Sequence, residues 1–463
     1  MRIRIGAVIA SLAALVATAA GQAQQVDLVV YNAIVVTMDA GARVLPRGAV
    51  AINGNSIVAV GAADAIASAY IARDTIDAGG QIVMPGLINT HTHAPMVLYR
   101  GLADDLALMD WLQQYIFPAE ARTVTREFVR AGTRLAALEM IQSGTTTYTD
   151  MYYFEEEIAR VTREAGLRGV LGQTIIQFPV ADAKTPQEGL ARAETFLKEF
   201  AGDELITPAI APHAMYTLDA ATLRAARAMA DVHKAPVLIH LAETADEAAT
   251  SQKQHKMSPT AYLESLGFWG PRTLAAHAVW LDDADIQTLA KRQVGVSHNP
   301  ESNMKLASGT ARVPALRQAG VQVGLGTDGA ASNNDLDMFE AMRQAAFLHK
   351  LTTGDPRAVP AATALAMATI EGARALGMDD RIGSLEAGKR ADLIVVSVAG
   401  ARHTPMYDPI SHLVYVARGS DVRTTIVNGQ VLMRDGKVLT LDEASVIREA
   451  NSFAARVREA VRK

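Results

Sequence analysis

The chain is 463 residues long, and 49% of its residues are hydrophobic. A chain of this size and composition can bury a large core, and we expect it to fold into more than one structural unit. Its formal net charge is −5, and it has no long basic run. This excludes the electrostatic footprint of a nucleic-acid-binding protein. The absence of Cys excludes disulfides, thiolate metal sites and a lipid-modified Cys.

Residues 1–23 have the pattern of a secretory signal peptide. Arg2 and Arg4 precede an uncharged apolar stretch of roughly 16 residues, shorter than a membrane-spanning helix needs, which argues against the alternative of an uncleaved anchor. Small residues offer a cleavage site at Ala17-Thr18-Ala19 or Gly21-Gln22-Ala23. We therefore expect an exported protein, periplasmic or secreted, with no membrane contact after cleavage.

Two β-rich segments flank the middle of the chain. Residues 26–60 alternate apolar and polar side chains around Asn53-Gly54, a dipeptide that suits a type I′ hairpin turn. The same pattern returns at residues 391–396 and 425–432. The two separated segments are expected to form one small β-sandwich domain.

The middle of the chain alternates apolar strand candidates with helical patterns such as 125–142, 218–233 and 336–349. The strand candidates are 82–91, 145–151, 168–176, 205–212, 236–242, 273–279, 293–298 and 321–327. Eight βα units suit a (β/α)8 TIM barrel, although a doubly wound sheet could also use eight strands.

The positions of polar side chains favour the α/β barrel. In a barrel the active site gathers at the carboxyl ends of the strands, whereas surface residues would be scattered. The residues predicted at these ends are His91, His93, Asp150, Gln173, His213, His240, Glu243, His277, His298 and Asp328. The predicted division is a signal peptide at 1–23, sandwich segments at 24–84 and 383–440, a TIM barrel at 85–382, and a C-terminal helix at 441–463.

The residues at these strand ends predict a metal site. His91 and His93 end the run Met84-Pro85-Gly86-Leu87-Ile88-Asn89-Thr90-His91-Thr92-His93, and residues two apart on a strand point to the same side. His240 would supply a third nitrogen ligand, and Asp328 an anionic oxygen, to a zinc-like ion. Such an ion would lower the pKa of a water in its remaining position to about 7.

The predicted positions of three residues suggest roles in catalysis. Glu243 stands three residues after His240, where it could take the proton of that water without being a ligand, as a general acid/base. His277 could hold or polarise the attacking oxygen. Asp328 could accept a second proton and pass it to the leaving group.

Structural alternatives remain for several of these residues. Glu243 could merely cap the following helix with Thr244. A lone His at a strand end, such as His213 or His298, is more often a hydrogen-bonded structural residue than a ligand. Five other His residues fall on helical or loop patterns and receive no role: His233, His255, His349, His403 and His412.

The chain resembles the amidohydrolase superfamily, and within it most closely the methylthioadenosine/S-adenosylhomocysteine deaminase branch, which is related to triazine and atrazine hydrolases. The resemblance extends from Val26 to about Val438. Its motifs are the His91-Thr92-His93 run after Pro85-Gly86, His240-Leu241-Ala242-Glu243-Thr244, the His277 strand, Ser297-His298-Asn299-Pro300-Glu301-Ser302-Asn303-Met304-Lys305-Leu306, Gly326-Thr327-Asp328-Gly329-Ala330-Ala331-Ser332-Asn333-Asn334, and Gly383-Ser384-Leu385-Glu386-Ala387-Gly388-Lys389-Arg390-Ala391-Asp392.

The resemblance implies a single divalent metal per subunit, and strand 205–212 offers no Lys that could bridge two ions. The ligand set suits Zn²⁺, with Fe²⁺ or Mn²⁺ as alternatives. The resemblance also suggests a homo-oligomer.

The resemblance further implies substrate contacts. Trp111, Glu120 and His213 match positions that hold the nucleoside, with Glu120 on the sugar hydroxyls. The alternative is that Trp111 belongs to the core and Glu120 to the surface. Gln173 is a departure, because deaminases of this branch tend to carry an Arg there. Its absence weakens the case for a substrate with a carboxylate tail.

The predicted function is metal-dependent hydrolytic deamination of an amino-substituted aromatic heterocycle, such as methylthioadenosine, adenosine or S-adenosylhomocysteine. Glu243 favours this reaction, because the ring nitrogen must be protonated. One alternative is the same mechanism on a triazine, a pterin, a guanine-like ring or an amide. Another is an exported binding protein without catalysis. Cytidine-deaminase-type zinc chemistry is excluded, because it needs Cys ligands.

Overall fold

The computed structural model describes residues 23–461. The predicted signal peptide, apart from its last residue, lies outside this range. Seventeen strands are present between residues 23 and 461. They are β1 Gln24–Val36, β2 Val44–Asn53, β3 Ser56–Ala62, β4 Tyr70–Asp77, β5 Ile82–Pro85, β6 Leu87–Thr92, β7 Thr145–Tyr152, β8 Arg168–Ile175, β9 Ile206–Pro212, β10 Val237–Leu241, β11 Thr273–His277, β12 Gly295–His298, β13 Val323–Leu325, β14 Leu393–Val396, β15 Val422–Val427, β16 Gln430–Arg434 and β17 Lys437–Val438.

Seventeen α-helices accompany the strands in the described range. They are α1 Ala63–Ala69, α2 Leu108–Trp111, α3 Phe117–Thr123, α4 Arg126–Gln142, α5 Glu155–Ala165, α6 Pro186–Glu199, α7 Ala220–His233, α8 Ala245–His255, α9 Pro259–Ser265, α10 Asp283–Lys291, α11 Pro300–Lys305, α12 Val313–Gln318, α13 Met338–Thr353, α14 Ala361–Met367, α15 Ile370–Ala375, α16 Pro409–Tyr415 and α17 Glu443–Ala460. Between residues 23 and 461, no helix is both long enough and apolar enough to cross a membrane.

Strands β6 to β13 form one parallel eight-stranded sheet, in which every strand pairs with its neighbour in the sequence. The first and last strands meet where the Asp328 amide donates to the His91 carbonyl at 2.9 Å and the Thr90 hydroxyl donates to the Leu325 carbonyl at 2.9 Å. A doubly wound sheet would reverse its strand order part-way. The uninterrupted order confirms the TIM-barrel prediction.

The first predicted strand, 82–91, is divided in the structure. Residues 82–85 form β5, which belongs to the other sheet, and β6 enters the barrel. Gly86 separates the two strands, and a Cβ at this position would collide with the side chain of Thr146. The glycine therefore lets the chain pass closely over the barrel as it changes sheets.

The remaining nine strands come from both ends of the chain and form a separate mixed sheet. Strand β5 connects the two segments, because it pairs in parallel with β1 and antiparallel with β14. The sheet encloses its own apolar core, which includes Val30, Val50, Ile57, Leu393 and Ile426. The small domain is thus built from the N- and C-terminal segments, as predicted.

The predicted type I′ turn at Asn53-Gly54 was wrong by one residue. Asn53 pairs with Ser56, so the two turn residues are Gly54 and Asn55. Of these only Gly54 has a positive φ, at 58°. A type I′ turn needs a positive φ at both residues, so the hairpin uses another turn type.

A buried ion pair connects the barrel to the small domain. Arg168 at the start of β8 donates from Nε to Asp392 Oδ2 at 2.9 Å and from Nη2 to Oδ1 at 3.2 Å. Asp392 also accepts the Asn428 amide at 2.6 Å. Both charged side chains are almost fully buried, so the two parts of the chain are held by a contact shielded from solvent.

Candidate functional site

Four predicted ligands meet at the carboxyl ends of the barrel strands. His91 lies near the end of β6, His93 just after it, His240 near the end of β10, and Asp328 after β13. The reactive atoms of His91, His93 and His240 lie within 4.8 Å of one another, and so do those of His91, Asp328 and His277. The barrel closure brings His91 and Asp328 together across 237 positions of sequence, because the Asp328 amide pairs with the His91 carbonyl.

Two of the imidazoles are oriented by backbone carbonyls. His93 Nδ1 lies 2.7 Å from the Met151 carbonyl oxygen, and His240 Nδ1 lies 2.8 Å from that of His213. A carbonyl can only accept, so each Nδ1 carries the proton. Each Nε2 is then left with a lone pair for a metal, the arrangement common to metal-binding His residues.

The distances between the His Nε2 atoms and the Asp328 carboxylate fit one small cation. His93 Nε2 lies 3.4 Å from His240 Nε2 and 3.4 Å from Asp328 Oδ1, and His91 Nε2 lies 3.5 Å from the same oxygen. A tetrahedral site with bonds of about 2.1 Å requires ligand atoms about 3.4 Å apart. The buried Nε2 atom of His91 has no hydrogen-bond partner among the described residues. These observations show that the donor set fits a divalent metal.

The electrostatics suit metal ligation too. Burial lowers the pKa of His91 to about 4, and burial likewise lowers the pKa of His93 and His240. Burial alone would raise the pKa of Asp328, but the contact with the His91 imidazole, together with the nearby His277 and His93, holds that pKa well below its usual value. Neutral imidazoles and an ionised carboxylate are the forms that bind a metal.

The carboxylate of Asp328 is fixed by several donors. Ser302 and Ser332 donate their hydroxyls to Oδ2 at 2.7 and 2.8 Å, and the Gly329 amide donates to Oδ1 at 2.7 Å. These bonds restrict the side chain to one rotamer, with Oδ1 towards the two His residues.

His277 and Glu243 face each other beside the ligand cluster. His277 Nε2 lies 3.8 Å from Glu243 Oε2, and His277 Nδ1 lies 2.9 Å from Asn303 Oδ1, which orients the ring. Burial lowers the pKa of His277, but the charges of Glu243 and Asp328 outweigh it, so the net shift is upward. Burial raises the pKa of Glu243. Shifted pKa values in a buried pair beside a ligand cluster are typical of catalytic acids and bases.

Glu243 is not the cap of the next helix. The N-cap of α8 is Thr244, whose hydroxyl accepts the Glu247 amide at 3.3 Å. The carboxylate of Glu243 is instead buried beside His277. This removes the structural alternative for Glu243.

The backbone is strained where these strands end. Ala242, His277, Ala278 and Asp328 all have positive φ, at 46°, 71°, 49° and 63°. Positive φ is unfavourable for residues with a Cβ and persists only where surrounding contacts enforce it. The strain lies at the positions that direct the candidate catalytic side chains.

A cavity opens above the cluster. Trp111, Glu120 and His213, the residues predicted to contact a substrate, all line it. Glu120 is buried, which contradicts the alternative of a surface residue, whereas Trp111 belongs to the apolar core and also lines the cavity. The Tyr152 hydroxyl donates to Glu120 Oε1 at 2.6 Å, and burial raises the pKa of Glu120 to about 7.

Gln173 does not line this cavity, contrary to the prediction of a substrate contact. Its side chain is fully buried, and its Nε2 donates to Asp182 Oδ2 at 2.9 Å and to the Thr174 carbonyl at 3.1 Å. The next residue of the strand, Thr174, lines the cavity instead. One residue of strand register thus separates the prediction from the observed contact.

Two other strand-end residues also point elsewhere. His298 Nε2 lies 3.0 Å from His349 Nε2, so this His has a structural partner outside the site. Asp150 accepts the Ala94 amide at 2.5 Å, next to His93. Neither lines the cavity.

Sequence reasoning missed the residues that orient the site. They include Asn303 at His277, Ser302 and Ser332 at Asp328, and Glu247 at Glu243. Three of them lie in motifs already associated with the resemblance, so the polar residues of those motifs were the available signal. For Glu247 the signal was the spacing Thr244-x-x-Glu247, which is that of a capping box.

Residues 82–432 match the model of the amidohydrolase family. This span covers well over half of the chain. The chain belongs to the amidohydrolase family.

Comparison with curated proteins gives a relative of similar length. The 5-methylthioadenosine/S-adenosylhomocysteine deaminase of Syntrophobacter fumaroxidans is 48% identical over 432 residues, which cover 93% of this chain and 98% of the relative. The match therefore extends over both the barrel and the small domain.

Solved structures agree on the architecture. An adenosine deaminase from Xanthomonas campestris with bound zinc is 41% identical, with a TM-score of 0.93, and the match covers 95% of this chain and 100% of that one. The atrazine chlorohydrolase TrzN of Arthrobacter aurescens is 24% identical, with a TM-score of 0.85 and coverage of 92% and 100%. The second likeness shows the fold alone.

Proposed function

We propose that this amidohydrolase is a hydrolytic deaminase of adenosine-type nucleosides. The observation that carries the proposal is the placement of Glu243 and His277 over one edge of the metal-ligand cluster, with Glu120 lining the same cavity. The first pair suits proton transfer to an amino-substituted ring, and the buried carboxylate suits two sugar hydroxyls. The names of the relatives from Syntrophobacter and Xanthomonas support the same substrate class.

A divalent metal held by His91, His93, His240 and Asp328 would supply the Lewis acidity that makes water nucleophilic at neutral pH. Glu243 takes the first proton of the attacking water and transfers it to the ring nitrogen beside the carbon under attack. His277 holds the incoming oxygen through its Nε2. Asp328 takes the second proton and passes it to the amino group, which leaves as ammonia while the ring carbon keeps the oxygen.

The cavity walls suit a base and a sugar. Leu108, Trp111 and Phe117 provide apolar surface for a planar ring. His213 lies over His240, with ring centroids 4.8 Å apart, and its Nδ1 lies 3.1 Å from the Thr217 hydroxyl. We assign substrate contacts to Trp111, Glu120 and His213.

The decisive experiment is a substrate screen. The purified, zinc-loaded mature protein would be incubated with adenosine, methylthioadenosine, S-adenosylhomocysteine, guanine, a pterin and an amino-triazine, and ammonia release would be measured. Release from the adenosine compounds supports the proposal. Release only from another ring would preserve the mechanism and replace the substrate class.

We propose zinc as the metal, on the ligand set and on the zinc bound in the Xanthomonas structure. Metal analysis of protein purified without added metal, followed by activity after reconstitution with Zn²⁺, Fe²⁺ or Mn²⁺, tests this. Greater activity with iron or manganese would replace zinc as the proposed metal.

We propose that the protein is exported after cleavage near residue 23, on the strength of the N-terminal sequence. N-terminal sequencing of the protein from the periplasm or the medium tests this. An intact Met1 on cytoplasmic protein would contradict it. A homo-oligomer stays a prediction, which sedimentation can test.

A further inference from the structure

A second cavity borders the one above the metal ligands. It is partly open to solvent, and we call it the outer chamber. It shares Phe117, Glu120 and Tyr153 with the site cavity. Its other walls include Phe178, Val180 and Ala181. The two cavities therefore meet at the carboxylate that we assign to the sugar hydroxyls.

The walls of the outer chamber are mostly apolar. Glu120 is the only charged residue lining it in the described part of the chain, and no Lys or Arg lines either cavity. The rings of Phe117 and Phe178 lie 5.4 Å apart in an edge-on arrangement at the chamber wall. Phe178 is also one of the more exposed large hydrophobic side chains, at 38%. An apolar ligand group would cover this exposed surface.

The loop that carries Phe178 is anchored from behind. The buried carboxylate of Asp182 accepts Gln173 Nε2 at 2.9 Å, Arg192 Nε at 3.1 Å and the Phe154 amide at 2.8 Å. The Gln173 side chain thus holds the loop rather than contacting a substrate. These three donors fix the loop with its apolar residues towards the chamber.

The cation near this loop, Arg192, already has two carboxylate partners. Arg192 binds Asp182 and, at 2.7 Å, Glu156 Oε2. Its charge is balanced there, and its side chain lines neither cavity. A carboxylate entering the outer chamber would meet no Lys or Arg among its lining residues within 23–461 and would lie close to Glu120.

The chemistry of a nucleoside connects the two cavities. If Glu120 accepts the 2′- and 3′-hydroxyls, the 5′-carbon lies only two bonds from C3′. A substituent on that carbon then extends past Glu120, away from the metal ligands. We propose that the outer chamber receives the 5′-substituent of the nucleoside, and that Phe117, Phe178 and Val180 select uncharged apolar substituents over amino-acid tails. This inference rests on the proposed nucleoside deaminase function.

The test compares kcat/KM of the full-length mature, zinc-loaded enzyme for adenosine, methylthioadenosine, 5′-butylthioadenosine and S-adenosylhomocysteine. We expect both alkylthio compounds to exceed S-adenosylhomocysteine by about tenfold or more, the discrimination that small changes in apolar contact produce. Equal or greater kcat/KM for S-adenosylhomocysteine would overturn the proposal. That result would arise, for example, if a second copy of the chain supplied a cation.

Variants of the chamber wall test which residues select the 5′-substituent. Phe178→Ala should lower the ratio of butylthioadenosine to adenosine kcat/KM by about tenfold, and Phe347→Ala, at another exposed Phe, is the matched control. Ala181 is an exposed residue of the chamber wall. Ala181→Arg should raise kcat/KM for S-adenosylhomocysteine relative to that for methylthioadenosine. Wild-type ratios in both wall variants would overturn the proposal. No ammonia from any adenosine compound would instead refute the deaminase function.

Discussion

The carboxylate of Glu247 accepts the backbone amides of Ala242 and Glu243, each at 3.0 Å. It is buried, and burial raises its pKa to about 7. The turn that it holds includes the strained Ala242, with φ at 46°. Glu247 is therefore a positioning residue, because it fixes the backbone that directs the Glu243 side chain towards His277.

Replacing Glu247 should slow the reaction without abolishing substrate binding. In Glu247→Gln an amide NH₂ faces one of the two backbone amides, so the turn relaxes and Glu243 shifts. We expect kcat to fall by about 10- to 100-fold, since a displacement near 1 Å can have this effect, while KM changes little. The exposed neighbour provides the control Asp246→Asn. An unchanged kcat would show that Glu247 does not position Glu243.

Glu243→Gln tests the proton-transfer role directly. The amide keeps the size of the side chain but cannot exchange a proton at neutral pH. We expect kcat to fall about a hundredfold or more, with unchanged metal content by elemental analysis and an unchanged thermal unfolding midpoint. Near-normal turnover would remove Glu243 from the mechanism.

The pH dependence of sugar recognition should follow Glu120. Burial raises its pKa to about 7, so the carboxyl is mostly protonated at pH 6 and mostly ionised at pH 8. An ionised carboxylate accepts hydrogen bonds from hydroxyls more strongly. The ratio of kcat/KM for adenosine to that for 2′,3′-dideoxyadenosine should therefore rise through pH 7, by about tenfold.

Taking this ratio cancels the titrations of catalytic groups, because both substrates use the same chemistry. Glu120→Gln provides the comparison, since its amide does not titrate. The ratio for this variant should be flat with pH. A rise of the same size in the variant would assign the titration to another group.

The barrel and its metal ligands were predictable because both depend on short-range patterns. Apolar strand runs recur at regular intervals, and the pair His91 and His93 must share one side of a strand. Strand ends converge in any barrel, so His240 and Asp328 could be placed near them without coordinates. The structure confirms the barrel and brings these four side chains together.

Side-chain direction at the ends of strands was not predictable in the same way. Gln173 and Thr174 are adjacent, yet only Thr174 reaches the cavity. The capping-box spacing of Glu247 indicates a bond to the N-cap residue, but its carboxylate binds the two preceding amides. Such choices depend on long-range packing and backbone strain that local patterns do not encode.

The ion pair of Arg168 and Asp392 gives a prediction for stability. Despite burial, the charge of Asp392 raises the pKa of Arg168. Asp392→Ala would leave this guanidinium buried and unpaired, so the free energy of unfolding should fall by about 3–5 kcal/mol. Denaturant unfolding monitored by circular dichroism measures the change.

Two control variants test whether the loss of stability comes from an unpaired buried charge. Glu194→Ala removes a carboxylate from the exposed pair with Lys198, which should change the free energy of unfolding by about 1 kcal/mol or less. The double variant Arg168→Met with Asp392→Leu removes both buried charges, and it should recover part of the lost stability because no unpaired charge remains. If Asp392→Ala behaved like Glu194→Ala, the buried pair would not hold the small domain to the barrel.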